Sequence, residues 1–159
     1  MNKQIKLQAL TDSALLEGLG QETLKEIAEF TEYLRFEDGE QALWEHGDPP
    51  KPALWLLASG DVEVGVSFSV LKNAEKLAIR KVDAELYGEI SWLLDSAPTA
   101  GVTCKGRTDF LKIDGQALNQ FMEKHPKTAA LLLRRIGEVM ALRVINLTHQ
   151  KRDEALWQF

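Results

Sequence analysis

From residue 38 to residue 113 the apolar residues come in short bursts, and each burst is cut off by a turn signal. Asp61-Val62-Glu63-Val64-Gly65-Val66 alternates strictly, with its valines on one face. Lys76-Leu77-Ala78-Ile79-Arg80-Lys81-Val82 alternates again, and residues 40–44 do so weakly. Ala53-Leu54-Trp55-Leu56-Leu57-Ala58 is a nearly continuous apolar run, and residues 101–104 and 109–113 complete the set. Between the bursts lie Asp38-Gly39, His46-Gly47-Asp48-Pro49-Pro50, Ser59-Gly60-Asp61, Lys72-Asn73 and Lys105-Gly106. Many short strands at regular turn spacing argue for an antiparallel sandwich, roll or barrel.

The flanks have a different period. From about Thr11 to Tyr33, Leu15, Leu19, Leu24, Ile27, Ala28 and Phe30 fall at helical spacings. Gly18 and Gly20 predict a break between two short helices, and Thr11-Asp12-Ser13 predicts the first N-cap. After the bursts, Asp114 can cap a helix over 116–123. His125-Pro126 stops that helix, because proline restricts its predecessor and donates no hydrogen bond. A long helix is expected over about 127–151. It carries two adjoining apolar rows: Leu132, Ile136 and Val139, then Leu133, Met140, Val144 and Leu147.

Composition narrows the function classes. The 159 residues carry 19 Lys+Arg against 24 Asp+Glu, a net charge of -5, which disfavours wrapping a nucleic-acid backbone. One cysteine, Cys104, cannot form an internal disulfide or a cysteine-rich metal site, which fits a reducing compartment. Residues 1–5 lack the apolar core of a signal peptide, and no run is long enough for a membrane span. A cytoplasmic location is expected. His46, His125 and His149 are far apart and lack metal-ligand spacing. No Ser–His–Asp, His–Cys or phosphate-loop arrangement is placed to do chemistry, so no catalytic or metal residue is assigned and no enzyme is expected.

Within the bursts stands Ala84-Glu85-Leu86-Tyr87-Gly88-Glu89-Ile90-Ser91-Trp92-Leu93-Leu94, followed by Ala97-Pro98-Thr99-Ala100-Gly101-Val102. This resembles the phosphate-binding cassette of cyclic-nucleotide-binding domains, as in catabolite-activator-type regulators and cyclic-nucleotide-dependent kinases. Gly39-Glu40-Gln41-Ala42-Leu43-Trp44-Glu45-His46-Gly47-Asp48 resembles the family's early turn–strand–turn. The segment 54–64 resembles the strand–turn–strand after it, and Leu15-Leu16-Glu17-Gly18-Leu19 a helix preceding the roll. The resemblance spans about residues 12–150. It implies one domain over 1–159, mainly β with flanking helices: a double-stranded β-helix, or jelly-roll-like β-roll. N-terminal helices would occupy 12–37, the roll 38–113 and the closing helices 114–152.

The cassette's chemistry is readable directly. Gly88 lets the backbone turn tightly after Tyr87, and a helix start near Glu89 offers free N–H groups to an anion. The resemblance assigns the ribose 2′-hydroxyl to Glu89, whereas on its residue type alone Glu89 also reads as a carboxylate capping a helix dipole. Gly88, Glu89, Ile90, Ser91, Pro98, Thr99 and Ala100 form the candidate ligand site, with cAMP or cGMP as the implied ligand. The family's binding members clamp the cyclic phosphate with an arginine. By spacing from Gly88 that position falls on Pro98, or on Thr99 with a shift of one, and neither is cationic. Loss of such a clamp costs roughly 2–5 kcal/mol of binding. Arg80, Lys105 and Arg107 are the candidate cations to reach in from elsewhere in the chain.

The resemblance also implies a homodimer through the long helix, by Leu132, Ile136, Val139, Met140, Val144 and Leu147, with Arg143 and Asn146 as candidates to face the pocket. Transcriptional members continue into a helix-turn-helix domain. This sequence stops at Phe159, so no contact with DNA is expected through it. Two functions are carried forward: a regulatory sensor of a cyclic nucleotide or related anion, and a nucleotide-free interaction module. Trp44, Trp55 and Cys104 are expected in the core, Trp92 beneath the cassette helix, and Arg134-Arg135 and Lys151-Arg152 in solvent.

Overall fold

The computed structural model describes residues 2–43, 51–65, 85–96 and 100–156. The expected strand 76–82, Trp44, His46 and the 46–50 turn lie outside the described residues, as do Arg80, Pro98 and Thr99.

The helices before the roll start earlier than expected. α1 (Lys3–Asp12) is capped by Asn2, whose Oδ1 accepts from Gln4 N at 3.0 Å. Thr11-Asp12-Ser13 therefore ends a helix rather than beginning one, and the Thr11 hydroxyl donates back to Leu7 O. The weak apolar periodicity of α1, which buries only Leu10, hid it. Turns follow to Gly18 and Leu19, and α2 (Gln21–Glu29) buries Leu24 and Ile27. The predicted helical span to residue 37 is also too long. Thr31 closes α2 through a bond from Oγ1 to Ile27 O, and β1 (Thr31–Phe36) is a strand. Its β-branched and aromatic residues favour extension once the helix has stopped.

β2 (Gln41–Leu43), β3 (Ala53–Gly65), β4 (Leu86–Tyr87) and β5 (Gly101–Asp114) complete one antiparallel sheet, ordered β1-β5-β3-β4, with β2 also on β5. Two predicted turns lie inside strands. Ser59-Gly60-Asp61 is an irregularity within β3, where the register against β5 shifts between Leu57 and Asp61. Gly60 has φ +92°, and a Cβ there would meet Arg107 O at 2.6 Å. Gly106 (φ +68°) lies likewise within β5. Glycine bends a strand as readily as it ends one, so these signals were real and their reading was not.

Alternation along β3 and β5 separates two cores. Leu54, Leu56, Leu111 and Ile113 join Leu10, Leu24, Ile27, Leu118, Phe121, Leu132, Ile136 and Val139 against the helices. Ala53, Trp55, Tyr87, Val102, Cys104 and Phe110 pack on the opposite face. Phe110 is its hub, edge-on to Phe36, Trp55 and Tyr87 at centroid distances of 5.7–6.0 Å.

After β4 comes the short helix α3 (Glu89–Leu94), and after β5 come α4 (Gly115–Lys124) and α5 (Pro126–Leu156). Asp114 caps α4 through Ala117 N at 2.9 Å, as predicted. α5 has 31 residues and runs about 46 Å at 1.5 Å per residue. Its two rows have different fates. Leu132, Ile136 and Val139 are buried in the chain's own core, whereas Leu133, Val144 and Leu147 are exposed. The expectation that the first row faces a partner is corrected accordingly, because the adjacent sheet and helices already cover it. No helix among the described residues is long and apolar enough to cross a membrane.

Candidate functional site

The site begins where β4 ends. Gly88 takes φ +75°, and a Cβ at this position would stand 3.0 Å from Ala53 O and 3.1 Å from Trp55 Cδ1. Glycine is therefore required both by conformation and by close approach. α3 starts immediately, with Trp92 N donating to Gly88 O at 3.0 Å. It is six residues long and ends at Asp95, which adopts φ +50°. Trp92 is buried, and its Nε1 donates to Gly115 O at 3.2 Å and Asn119 Oδ1 at 3.1 Å. That pins α3 to the start of α4, as the sequence led us to expect of a residue beneath the cassette helix.

A cavity of about 220 Å³ opens over this turn. Leu43, Val64, Tyr87 and Val102 give it apolar walls. Gly88, Glu89, Ile90, Ser91 and Ala100, five of the seven expected site residues, line it together. The Ser91 hydroxyl donates to Ser96 O at 2.5 Å.

Among the described lining residues, two are charged. Glu89 is 6% exposed, and its Oε1 accepts from Arg143 Nη1 at 2.5 Å. Arg143 Nη2 also donates to Leu86 O at 2.6 Å. Neither sequence reading of Glu89, a ribose acceptor or a dipole cap, included this partner. The helix geometry explains it. Leu132, Ile136, Val139 and Arg143 stand at steps of four, three and four, so they share one face of α5. The apolar row docks on the core, and its next member is carried over the cassette. Arg143 was singled out in the sequence for facing a pocket. Its role as the pocket's cation was missed, although a charge continuing a buried row is a legible signal.

Glu85 was missed as well. It is buried, and its Oε1 accepts from Ser13 Oγ at 2.9 Å and Leu15 N at 2.8 Å. This bond ties the segment after α1 to the residue before β4. Arg135, expected in solvent, donates to Leu15 O at 2.7 Å and Glu17 O at 2.8 Å. Lys105, a candidate cation for the site, pairs instead with Glu63 at 2.8 Å. His125 lies against Glu26 at 3.0 Å, at the end of α4.

A separate polar cluster lies on β1, β3 and β5. Asp109 accepts from Arg35 Nε at 2.7 Å, Arg35 Nη2 at 3.1 Å, Tyr33 Oη at 2.7 Å and Ser59 Oγ at 3.1 Å. The Arg35 guanidinium, ahead of the other donors, holds the Asp109 carboxyl down at about 2. Burial, with Asp109 beside it, pushes Tyr33 up, and burial also raises the Cys104 thiol. Among the described residues no group of three or more His, Cys, Asp or Glu is placed to hold a metal ion.

No protein-family model matches the sequence, and comparison with curated proteins finds no match. Solved structures do match. A cyclic nucleotide-binding domain from Methylobacillus flagellatus KT aligns with a TM-score of 0.63 at 20% identity, over 91% of this chain and 79% of that one. The fold is that of a cyclic nucleotide-binding domain. Thermus thermophilus catabolite activator protein aligns with the same β-roll at a TM-score of 0.66 and 22% identity, covering 90% of this chain and 63% of that one. The regulatory domain of Toxoplasma gondii PKA, crystallised with cAMP, aligns at 0.61 and 16% identity, over 86% of this chain and 50% of that one. Sequence identities this low establish the cyclic nucleotide-binding fold and leave the ligand to be argued from the site.

Proposed function

We propose that the chain is a non-catalytic regulatory sensor that takes a cyclic nucleotide, or a related small anionic ligand, into the cavity between α3 and α5. The observation that carries this reading is the pairing of one carboxylate and one guanidinium in a mainly apolar cavity, beside the glycine turn at Gly88. Few convergent polar groups in an apolar concavity is the usual form of a small-molecule site. The Toxoplasma domain of the same fold binds cAMP, which makes cAMP and cGMP the first ligands to try. Glu89 suits a ribose hydroxyl, since an ionised carboxylate only accepts hydrogen bonds. Pro98 and Thr99, which follow α3 in the sequence, belong to the same proposed ligand site. The single-domain boundaries and a cytoplasmic location belong to this proposal too.

Isothermal titration calorimetry with cAMP and cGMP tests it, on the wild type beside Pro98→Arg. Binding by the wild type in the micromolar range supports the sensor. Binding gained only by Pro98→Arg would show that the wild-type cassette does not serve nucleotides.

That second outcome belongs to the alternative, a nucleotide-free β-roll whose function is an interaction surface. Two observations favour it: no Lys or Arg lies between Asp95 and Cys104, and Arg143 already pairs with Glu89. Both readings include a homodimer through the exposed row of α5. Leu133, Val144 and Leu147 are 44%, 61% and 53% exposed, with Met140 half-buried beside them. Together with Gly137 they keep the three-and-four spacing of a coiled-coil seam. A Cβ at Gly137 meets nothing, so space is open there for a second helix.

A further inference from the structure

The cavity's only cation among the described lining residues comes from α5, not from the cassette. That cation's partners on the roll side include Glu89 on α3 and Leu86 O on β4. The same guanidinium therefore lines the ligand space and fastens the helix.

Two further features bear on what happens when the space fills. First, about 220 Å³ is below the roughly 300–1,000 Å³ typical of small-molecule sites, so a nucleotide-sized ligand needs part of the lining to give way. Tyr87, Val102 and Leu43 belong to the packed sheet core and resist displacement. Second, α5 buries Leu132, Ile136 and Val139, but no residue from Met140 to His149 is buried. Met140 still packs against the core, but beyond it Arg143 bonds to Glu89 and to Leu86 O, so this stretch is the part of the wall with least packing to lose.

We propose that Arg143 is an exchangeable latch: its guanidinium leaves Glu89 for the anionic group of the ligand, which frees Glu89 to accept a ligand hydroxyl and resets α5 from residue 140 onward. The latch rests on the sensor reading of the cavity. It deepens that reading by naming the phosphate-binding group and the route to output. A guanidinium fits either partner, since its planar fork pairs with carboxylate and phosphate alike. The two partners compete for it, so ligand affinity and helix position are linked, and the linkage is reciprocal. Val144 and Leu147 lie one and four residues beyond the latch, about one turn, so its exchange would reach the exposed seam directly.

The competition gives a test with opposite signs. Wild type, Arg143→Ala, Arg143→Lys and Glu89→Gln are titrated by calorimetry with cAMP, and by NMR with inorganic phosphate. Hydrogen exchange over 140–149 is measured on the same proteins, and circular dichroism confirms that each is folded. Arg143→Ala is expected to weaken cAMP by about 30-fold or more, and Arg143→Lys by less. Glu89→Gln is expected to weaken cAMP yet tighten phosphate, because it removes the competitor and keeps the cation. Exchange over 140–149 rises in Arg143→Ala and Glu89→Gln without any ligand, and changes in wild type when cAMP binds. If wild type binds cAMP and Arg143→Ala binds it within about twofold, the latch is overturned and the sensor reading stands. Phosphate binding unchanged in Glu89→Gln overturns the latch as well. If wild type binds neither cAMP nor cGMP nor phosphate, the sensor reading fails and takes the latch with it.

Discussion

Replacing Asp109 by Asn removes the acceptor that organises one corner of the roll. The carboxylate receives four hydrogen bonds, two of them from the Arg35 guanidinium. Its side chain is 9% exposed and that of Arg35 is 33% exposed, so the pair is only partly screened. The Asp109 carboxyl sits at about 2, against an ordinary 3.8. A depression of this size corresponds to about 2 kcal/mol of folding stability at neutral pH. An asparagine in its place turns an NH₂ group toward Arg35 or Tyr33, leaves the guanidinium unpaired and adds to that loss. Asp109→Asn is therefore expected to be less stable by about 2–3 kcal/mol at pH 7, a drop in Tm of roughly 4–12 °C for a chain of this size. The pH dependence identifies the cause. A depressed carboxyl contributes its full stability above the unfolded-state value near 4 and loses it as pH falls toward 2. About half of the titrating part is gone by pH 3. Urea unfolding of wild type and variant at pH 7, 5, 4 and 3 should show a difference that is flat down to pH 5 and then shrinks by about 1 kcal/mol. A difference below about 0.5 kcal/mol at pH 7, or one that stays constant to pH 3, would refute the assignment of that stability to the ionised carboxylate.

Gly60→Ala should destabilise the fold by at least about 2 kcal/mol, through positive φ and the 2.6 Å approach to Arg107 O; thermal unfolding reads it, and a Tm within 1–2 °C of wild type, roughly, would contradict the β3 geometry. Trp92→Phe removes the Nε1 donor to Gly115 O and Asn119 Oδ1 and should cost about 1–2 kcal/mol in urea unfolding, with an unchanged far-ultraviolet spectrum. Val144→Glu should turn a wild-type dimer into a folded monomer in sedimentation velocity. A wild type that is monomeric at every concentration would remove the seam on α5 from the account.

The β-roll was legible because its strands keep period two over long stretches. β3 and β5 send alternate residues to two cores, and that alternation shows in Val62 and Val64 and in Leu111 and Ile113. The glycines at 60 and 106 were read as strand ends, because sequence carries the positive φ but not the register that continues past it. α1 escaped notice because it buries one leucine and so has no apolar stripe to read. Within the site, the glycine turn and the short helix followed from residue type and order. The Glu89–Arg143 pair did not, since its members are 54 positions apart and are joined only when α5 docks. Glu85 eluded the sequence for the same reason, its hydroxyl partner Ser13 lying 72 positions away. A carboxylate has no period, and only its burial reveals that it must be paired.

The central claim is that a small anionic ligand occupies the cavity between α3 and α5. The most direct measurement is a two-dimensional amide NMR titration of wild type with cAMP and cGMP. The account predicts that the largest shift changes fall on Gly88, Glu89, Ile90, Ser91 and Ala100, with a second group on α5 around Arg143. Shift changes confined to other surfaces, or none at saturating nucleotide, would contradict it.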